Sequence, residues 1–407
     1  MNWQLKSLDI ASAFLQGKPI DREVYLIPPK ECKRKSVLWK LKKCVYGLSD
    51  AARQWYEMVK QTILEAAIKK CPHDDAFFYW LKDGIIEGIM TIHVDDFIYG
   101  GTNNFEELLK TSIFSKFTVG EMSENQFIYL GLNVVQNEDL SISVYQHDYV
   151  KGIKPIEISP KRKAQKTYAL STGEYKQYRS ICGQILWLSL QTRPDISYDI
   201  CVLSNYLSDP NVQNMVSLNK LVRKLHNSPG ICLTFKKILG MQKTWKIIYY
   251  SDASYTYLHL TSYLPRNGSQ SGDIIFVSDN NQIVNNPVVW KSIKIERTCQ
   301  SSLEAECLGL MKAVDHSLFI QKTLLDIYPE AKSEILCHID NKSLNDLLLG
   351  LRDPTEKRLI CSMAPVKEMI SKQEIVLKLI KTKEMPADIL TKHGVDGRNI
   401  RDCFSCD

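Results

Sequence analysis

The sequence lacks the features that mark membrane, secreted and zinc-binding proteins. No stretch of the 407 residues approaches the roughly 18 apolar residues that a membrane-spanning helix needs. The opening residues lack the basic segment and apolar run of a signal peptide. The twelve cysteines are scattered, and the Cys-x-x-Cys pair Cys403–Cys406 has no second pair to complete a zinc site. These absences predict a protein of the cytoplasm or nucleus with reduced thiols.

An excess of one charge is also missing. Lysine and arginine total 52 against 46 acidic residues, which gives a net charge of +6 and a pI near 8.5. This balance permits a polyanionic partner without requiring one. Hydrophobic residues make up 44% of the chain, which is enough to build a core and excludes wholesale disorder. The length suits two or three domains.

Three regions with different patterns follow one another along the chain. Residues 1–155 mix short strands and helices around several apolar runs. Residues 156–240 open with a polar, basic connector and continue with helical patterns, whereas residues 244–395 begin with strands and then alternate helix and strand. Residues 396–407 form a short C-terminal tail. This order predicts an α+β and α/β multidomain protein whose third region contains a mixed sheet.

Two adjacent acids interrupt an apolar hairpin pattern at 89–101, "IMTIHVDDFIYGG". Asp95 and Asp96 have a structural explanation, because aspartate is common in turns. Their apolar surroundings make unpaired charge costly, however, and a divalent cation would offset it. Asp9 lies in another apolar, strand-like run. Three such carboxylates could hold two metal ions about 3.5–4 Å apart, the arrangement used in nucleotidyl transfer.

Four more acids occupy suggestive positions in the third region. Asp252 and Asp340 end predicted strands, Glu304 lies in the first turns of a long predicted helix, and Asp388 follows the last strand. Each has an alternative explanation as a turn residue, a helix cap or a partner of the helix dipole. Together they could meet at one edge of the sheet and bind metal for hydrolysis of a phosphodiester.

Several motifs resemble one known family. "LDIASAFLQG", "LKKCVYGLSDAARQWY" and "IHVDDFIYGG", in this order, are similar to the reverse transcriptase of copia-type retrotransposons. "SDAS", "SLEAE", "HIDNKS" and "MPADILTK" resemble the ribonuclease H domain of the same Pol polyproteins. The resemblance implies a palm in 1–155, a thumb or connection in 156–240 and a ribonuclease H-like domain in 244–395. Since eight residues precede Asp9, it also implies an N-terminally truncated palm without most of the fingers.

The resemblance also implies roles for individual residues. Asp9, Asp95 and Asp96 match the catalytic and metal-binding acids of the polymerase. Asp252, Glu304, Asp340 and Asp388 match those of the ribonuclease H site, with Glu306 as a nearby competitor for the role of Glu304. The residues expected to contact the nucleotide or primer are Phe14, Gly47 and His93. His93 stands where the family has tyrosine, and strand alternation predicts that it shares a face with Asp95.

The implied activities are RNA-directed DNA synthesis and hydrolysis of RNA in RNA–DNA hybrids. Each site would use two Mg²⁺ or Mn²⁺ ions, and the partners would be an RNA template, a DNA primer, an RNA–DNA hybrid and dNTP. With most of the fingers missing, the ribonuclease H chemistry is expected to be the better preserved. The alternatives are a catalytically inactive or host-adopted nucleic-acid-binding remnant and an unrelated metal-dependent nuclease or phosphatase.

Overall fold

The computed structural model describes residues 2–32, 37–255, 268–352 and 356–395. The chain divides into two compact units, one formed by 1–130 with 134–136 and the other by 131–133 with 137–407. The predicted tail and the Cys403–Cys406 pair lie outside the described residues. The predicted domain limits at 155 and 240 stay predictions.

The first unit is built on a six-stranded antiparallel sheet. Its elements are β1 (Leu5–Ile10), α1 (Ala13–Gln16), β2 (Tyr25–Leu26), β3 (Trp39–Lys40), α2 (Ala51–Glu65), β4 (Lys69–Lys70), β5 (Phe77–Lys82), β6 (Ile85–His93), β7 (Asp96–Gly101), α3 (Asn103–Ser112), β8 (Val119–Glu124) and β9 (Gln126–Tyr129). The strand order in the sheet is β4-β5-β6-β7-β1-β8. The next strand, β10 (Leu132–Gln136), has residues assigned to both units.

One face of this sheet is buried and the other carries the acids. In β1, Leu8 and Ile10 are 1% exposed and belong to the core, whereas Asp9 between them points to the other face. The period of two in a strand produces this alternation. Helix α2 covers the buried face with Trp55 and Val59, which lie four residues apart on one side of the helix. The core therefore fixes the strand that presents Asp9.

The second unit begins with a helical region. Its elements are β11 (Ile142–Tyr145), α4 (His147–Gly152), α5 (Pro160–Ala164), α6 (Thr172–Gln191), α7 (Ser197–Ser204), α8 (Val212–His226) and β12 (Leu233–Phe235). Between α6 and α7, Arg193 and Asp195 form a buried ion pair with 2.8 Å from Nε to Oδ1. Among the described residues, no helix is long and apolar enough to span a membrane.

The remainder of this unit contains the mixed sheet that the sequence predicts. Its elements are β13 (Thr244–Ser254), β14 (Gln270–Ser278), β15 (Asn285–Lys294), α9 (Ser302–Ile327), β16 (Lys332–Ile339), α10 (Lys342–Leu348), α11 (Lys357–Ser371) and β17 (Ile375–Leu379). The strand order is β15-β14-β13-β16-β17. Strand β14 pairs antiparallel with both β13 and β15, and strand β16 pairs parallel with both β13 and β17. The predicted fold class is confirmed.

The two faces of the mixed sheet have different cover. Helix α9 packs its buried residues on the face formed by Trp245, Ile247 and Tyr249. The opposite face, with Ile248 and Phe276, packs against the segment that contains the 3₁₀ turn Pro386–Leu390. This second arrangement brings the chain after β17 back over β13.

A buried carboxyl under α9 should make stability depend on pH. Asp273 is 1% exposed, and burial raises its pKa to about 7 although the Ser251 hydroxyl donates a hydrogen bond to it. The unfolded chain releases this proton near pH 4, so the stability contribution is lost as pH rises from about 4 to 7. When the pH rises from 5 to 8, the free energy of unfolding of the unchanged protein should fall. In Asp273→Asn, which has no carboxyl to titrate at this position, the fall should be smaller by about 2 kcal/mol.

Urea-induced unfolding in EDTA at the two pH values measures this difference. Asp315→Asn removes an exposed carboxylate from α9 and serves as the control, which should follow the unchanged protein. An equal pH dependence in Asp273→Asn and in the unchanged protein would contradict the assignment.

Candidate metal centres

Three of the predicted acids of the second unit meet at one edge of the mixed sheet. Asp252 lies near the end of β13, Asp340 follows β16, and Asp388 lies in the 3₁₀ turn after β17. One carboxylate oxygen of each lies within 4.8 Å of the others. Because β13 and β16 run parallel, their carboxyl ends share this edge. The sequence predicted this meeting, whereas a metal-binding role for the three acids stays a prediction.

A glycine lets the segment with Asp388 come close to Asp252. Gly272 on β14 is the cross-strand partner of Asp252. A Cβ atom at this position would lie 2.7 Å from the Cβ of Leu390 and 2.7 Å from the Cγ2 of Thr391. Such distances are too short for carbon atoms in contact. The missing side chain therefore allows the segment to rest directly on the strand.

Thr391 and Lys392, which follow Asp388 in the chain, both contact Asp252. The hydroxyl of Thr391 donates a hydrogen bond to Oδ2 of Asp252. The Nζ atom of Lys392 lies 2.5 Å from Oδ1 of Asp388 and 3.5 Å from Oδ1 of Asp252. Burial lowers the pKa of Lys392, but Asp252, Asp388 and Asp340 outweigh it, so its pKa is raised. A cationic group thus lies where the carboxylates converge.

Glu304, the fourth acid that the resemblance implies, is not among the three described acids whose oxygens meet, and its role stays a prediction. Glu304 accepts hydrogen bonds from the Arg358 guanidinium at 2.6 Å and from the Gln300 backbone N–H at 2.7 Å. Arg297 lies 3.5 Å from its other oxygen. These partners hold Glu304 at the start of α9, where it helps to anchor the helix and lies outside the group of Asp252, Asp340 and Asp388.

Glu306, which is 6% exposed, lies close enough to Asp252 and Asp340 to be affected by their charges. Burial, followed by the charges of Asp252 and Asp340, raises the pKa of Glu306 to about 9, whereas a hydrogen bond with the Asn341 side chain lowers it. Residues two apart on a helix point about 200° away from each other, so the two glutamates cannot face the same side. From here, "carboxylate cluster" means Asp252, Glu306, Asp340 and Asp388.

A signal for Glu306 was present in the sequence. Leu310, Ala313 and Ser317 follow Glu306 at four, seven and eleven residues, and all are buried. This spacing is that of the buried stripe of a helix. The same intervals counted from Glu304 lead to Leu308, Met311 and Asp315. Leu308 and Met311 are only partly buried, and Asp315 is charged and exposed. The helical period therefore favours Glu306.

The carboxylate cluster concentrates negative charge in a buried place. Asp252 is 2% exposed, and burial raises its pKa to about 6; Asp388 and Asp340 also raise it, whereas Lys392 and Thr391 lower it. Like charges at short distance disfavour ionisation of each other. Four carboxylate groups with hard oxygen donors suit Mg²⁺ or Mn²⁺, and the ammonium group of Lys392 already takes a cation's place between two of them.

The first unit gathers its acids at the β6–β7 hairpin. Asp9 on β1 lies directly opposite Asp96 on β7, and cross-strand partners point to the same face. Burial, then Asp95 and Glu121, raises the pKa of Asp9. Burial, then Asp95 and Asp9, raises the pKa of Asp96. The oxygens of Asp252, Asp340 and Asp388 lie within 4.8 Å of one another, and among the described residues Asp9, Asp95 and Asp96 do not form such a group.

The hairpin turn is held by residues that the sequence did not single out for this task. The Trp55 indole N–H donates to the carbonyl of Val94 at 2.6 Å, and Val94 has a left-handed φ of 57°. The hydroxyl of Tyr46 donates to Oδ2 of Asp95 at 2.9 Å. Tyr46 lies in the "VYGL" motif beside Gly47 and is therefore visible in the sequence. Its hydrogen bond with Asp95 is visible only in the tertiary structure.

The three predicted contact residues have distinct surroundings. Phe14 is buried, and its ring centroid lies 4.4 Å from that of Tyr46. Gly47 has a φ of 100°, in the left-handed region that favours glycine. His93 is exposed at the end of β6 and pairs with Asp96. His93 therefore shares a face with Asp96, and its predicted place on the face of Asp95, towards the primer, stays a prediction.

Comparison with known proteins bears on the fold and on the family of residues 1–162. Residues 1–162 match the family described as reverse transcriptase (RNA-dependent DNA polymerase). The foamy viral protease-reverse transcriptase in complex with double-stranded DNA has a similar fold, with a TM-score of 0.54 and 12% identity over 93% of this chain and 57% of that one. Its complex with an RNA/DNA hybrid gives 0.51 and 12%, over 93% and 44%. The chain therefore contains a reverse transcriptase domain.

Relatives over nearly the whole length define the group more closely. The Pol polyprotein of transposon TNT 1-94 from Nicotiana tabacum is 24% identical over 96% of this chain and 30% of the relative. That of transposon RE2 from Arabidopsis thaliana is 26% identical over 96% and 27%. The chain is a relative of the copia-type retrotransposon Pol polyproteins, as its motifs indicated, and it spans less than a third of the length of these two relatives.

The close approach at Gly272 can be tested by stability. Gly272→Ala should force the segment 387–391 away from β14 and lower the free energy of unfolding by about 1–3 kcal/mol. Gly183→Ala is the matched control, because a Cβ at this position in α6 meets no atom within 4 Å and alanine favours the helix by about 1 kcal/mol. Thermal unfolding followed by circular dichroism measures both. A Gly272→Ala protein as stable as the unchanged one would contradict the packing.

Proposed function

We propose that the carboxylate cluster hydrolyses the RNA strand of RNA–DNA hybrids. The observation that carries this proposal is the convergence of Asp252, Asp340 and Asp388 within 4.8 Å, with Glu306 facing them from α9. The complex of a similar fold with an RNA/DNA hybrid supports this class of substrate. Homology to the Pol polyproteins supports the enzyme class.

The four acids would hold two Mg²⁺ or Mn²⁺ ions. Two such metal ions would activate a water and stabilise the leaving oxygen during in-line attack on a phosphodiester. Asp252 and Asp340 come from the rigid centre of the sheet, which fixes their spacing. Glu306 belongs to helix α9, which packs on one face of the sheet, and Asp388 belongs to the 3₁₀ turn, which packs on the opposite face. Thr391 orients Asp252 by its hydrogen bond.

The assignment of Glu306 rather than Glu304 has a direct test. Glu306→Gln removes a metal ligand and should lower hydrolysis of a labelled RNA–DNA hybrid at least about a hundredfold. Glu304→Gln weakens a buried contact with Arg358, so it should lower the melting temperature but keep hydrolysis within about tenfold for the folded fraction. The reverse pattern, with Glu304→Gln inactive and Glu306→Gln active, would refute the assignment.

RNA-directed DNA synthesis is a second proposed activity, at the hairpin of the first unit. The placement of Asp9 opposite Asp96, with Asp95 in the adjoining turn, favours it. These carboxylates would bind two Mg²⁺ ions and a dNTP, with Phe14, Gly47 and His93 near the nucleotide or primer. Tyr46 would orient Asp95 through its hydroxyl. The match of residues 1–162 to the reverse transcriptase family supports this proposal.

Primer extension on an RNA template tests this second activity. Asp9→Asn should lower incorporation of dNTP at least about a hundredfold, because a neutral amide binds Mg²⁺ far more weakly than a carboxylate. Asp21→Asn, at an exposed position of the same unit, is the control and should extend the primer like the unchanged protein. Equal extension by Asp9→Asn would remove Asp9 from the site.

Partners and location follow from these activities as part of the proposal. The partners would be an RNA template, a DNA primer and the resulting hybrid, and the site of action would be the cytoplasm or nucleus. Described cysteines such as Cys44 and Cys307 are buried free thiols, which suits a reducing compartment. A protein that binds an RNA–DNA hybrid but neither hydrolyses it nor extends a primer would instead be the inactive remnant.

A further inference from the structure

Lys392 has no role in the hydrolysis proposed above, yet it lies inside the carboxylate cluster. Its Nζ atom contacts Oδ1 of both Asp388 and Asp252, at 2.5 Å and 3.5 Å. Its side chain is 37% exposed, whereas that of Asp252 is 2% exposed. A long cationic side chain therefore reaches from the surface to a buried acid, and this contact requires an explanation.

The contacts of Asp252 leave one oxygen for a further ligand. Oδ2 accepts the hydrogen bond from Thr391, and Oδ1 faces Lys392. A divalent metal ion binds carboxylate oxygens at about 2.0–2.1 Å in the case of Mg²⁺. A metal ion held by Asp252 and Asp388 would lie near the ammonium group of Lys392, which contacts both acids, and like charges at such a distance repel strongly. A metal ion and Lys392 would therefore compete for the same two carboxylates.

We propose that Lys392 is a built-in counter-cation of the carboxylate cluster and that a divalent metal ion must displace it in order to bind. This inference rests on the proposed metal-dependent function of the cluster. The lysine would keep the acids together before metal arrives, and the competition would lower the affinity for metal. Lys392 is thus a positioning residue whose effect is exerted on metal binding rather than on the reacting atoms.

The surroundings provide room for the displaced side chain. Lys392 lines a cavity of about 690 Å³ together with residues such as Ile389 and Tyr198. This cavity adjoins the cluster because Lys392 lines the cavity and also contacts Asp252 and Asp388. A rotation of its flexible stem would move the ammonium group away from Asp252 without unfolding the 3₁₀ turn. The exposed part of the side chain makes such a movement cheap in free energy.

Binding of Mn²⁺, measured by electron paramagnetic resonance without any substrate, tests the competition. Lys392→Met keeps the length of the side chain and removes its charge, so it should bind Mn²⁺ at least about fivefold more tightly than the unchanged protein. Lys383→Met is the matched control. It removes an exposed charge from the same part of the chain and should leave the dissociation constant unchanged.

The outcomes separate this inference from the proposed function. If Lys392→Met binds Mn²⁺ with the same affinity as the unchanged protein, or more weakly, the displacement is refuted while the metal site stands. If neither protein binds Mn²⁺ better than Asp388→Asn, the metal site itself is refuted and the displacement falls with it. Tighter binding confined to Lys392→Met supports both.

Thermal unfolding gives a second readout that does not depend on activity. In EDTA, Lys392→Met should melt several degrees below the unchanged protein, since the clustered carboxylates lose their counter-cation. Saturating Mn²⁺ should abolish most of this difference, because the metal then supplies the positive charge. A variant that melts like the unchanged protein in EDTA would contradict the counter-cation role.

Discussion

Repulsion between like charges is the constraint on which the candidate ribonuclease site depends. Burial, and after it the charges of neighbouring acids, raises the pKa of Asp252 and of Glu306 at this edge of the sheet. A fold can hold such a group only with fixed backbones and compensating cations. The parallel β13–β16 pair provides the fixed backbone, and Lys392 provides one of the compensating cations.

Both candidate sites rely on a glycine where a backbone passes close to an acid. Gly272 admits the segment with Asp388 onto the strand opposite Asp252. In the first unit, Gly120 lies beside Asp9 at an irregularity of the β1–β8 pairing, and a Cβ there would be 2.5 Å from Oδ2 of Asp9. In each case the missing side chain allows an approach that even alanine would obstruct.

Much of this arrangement could be predicted from the local pattern. The ends of predicted strands correctly placed Asp252 and Asp340, since parallel strands end at a common edge. Glu304 was chosen by its motif, but the direction of a helical side chain depends on which stripe faces the sheet, and that stripe contains Glu306. For His93, strand alternation alone could not give the cross-strand partner, because β6 ends at that residue and the pairing with Asp96 depends on the turn.

The sequence by itself determined the elements, their order and the kinship to copia-type Pol polyproteins, because apolar periodicity and motif order are local properties of the chain. The tertiary structure decided which charges meet. The contacts of Lys392 with Asp252 and of Tyr46 with Asp95 join residues separated by 140 and 49 positions. No periodicity encodes such distances, since they arise only when sheets and their covers pack together.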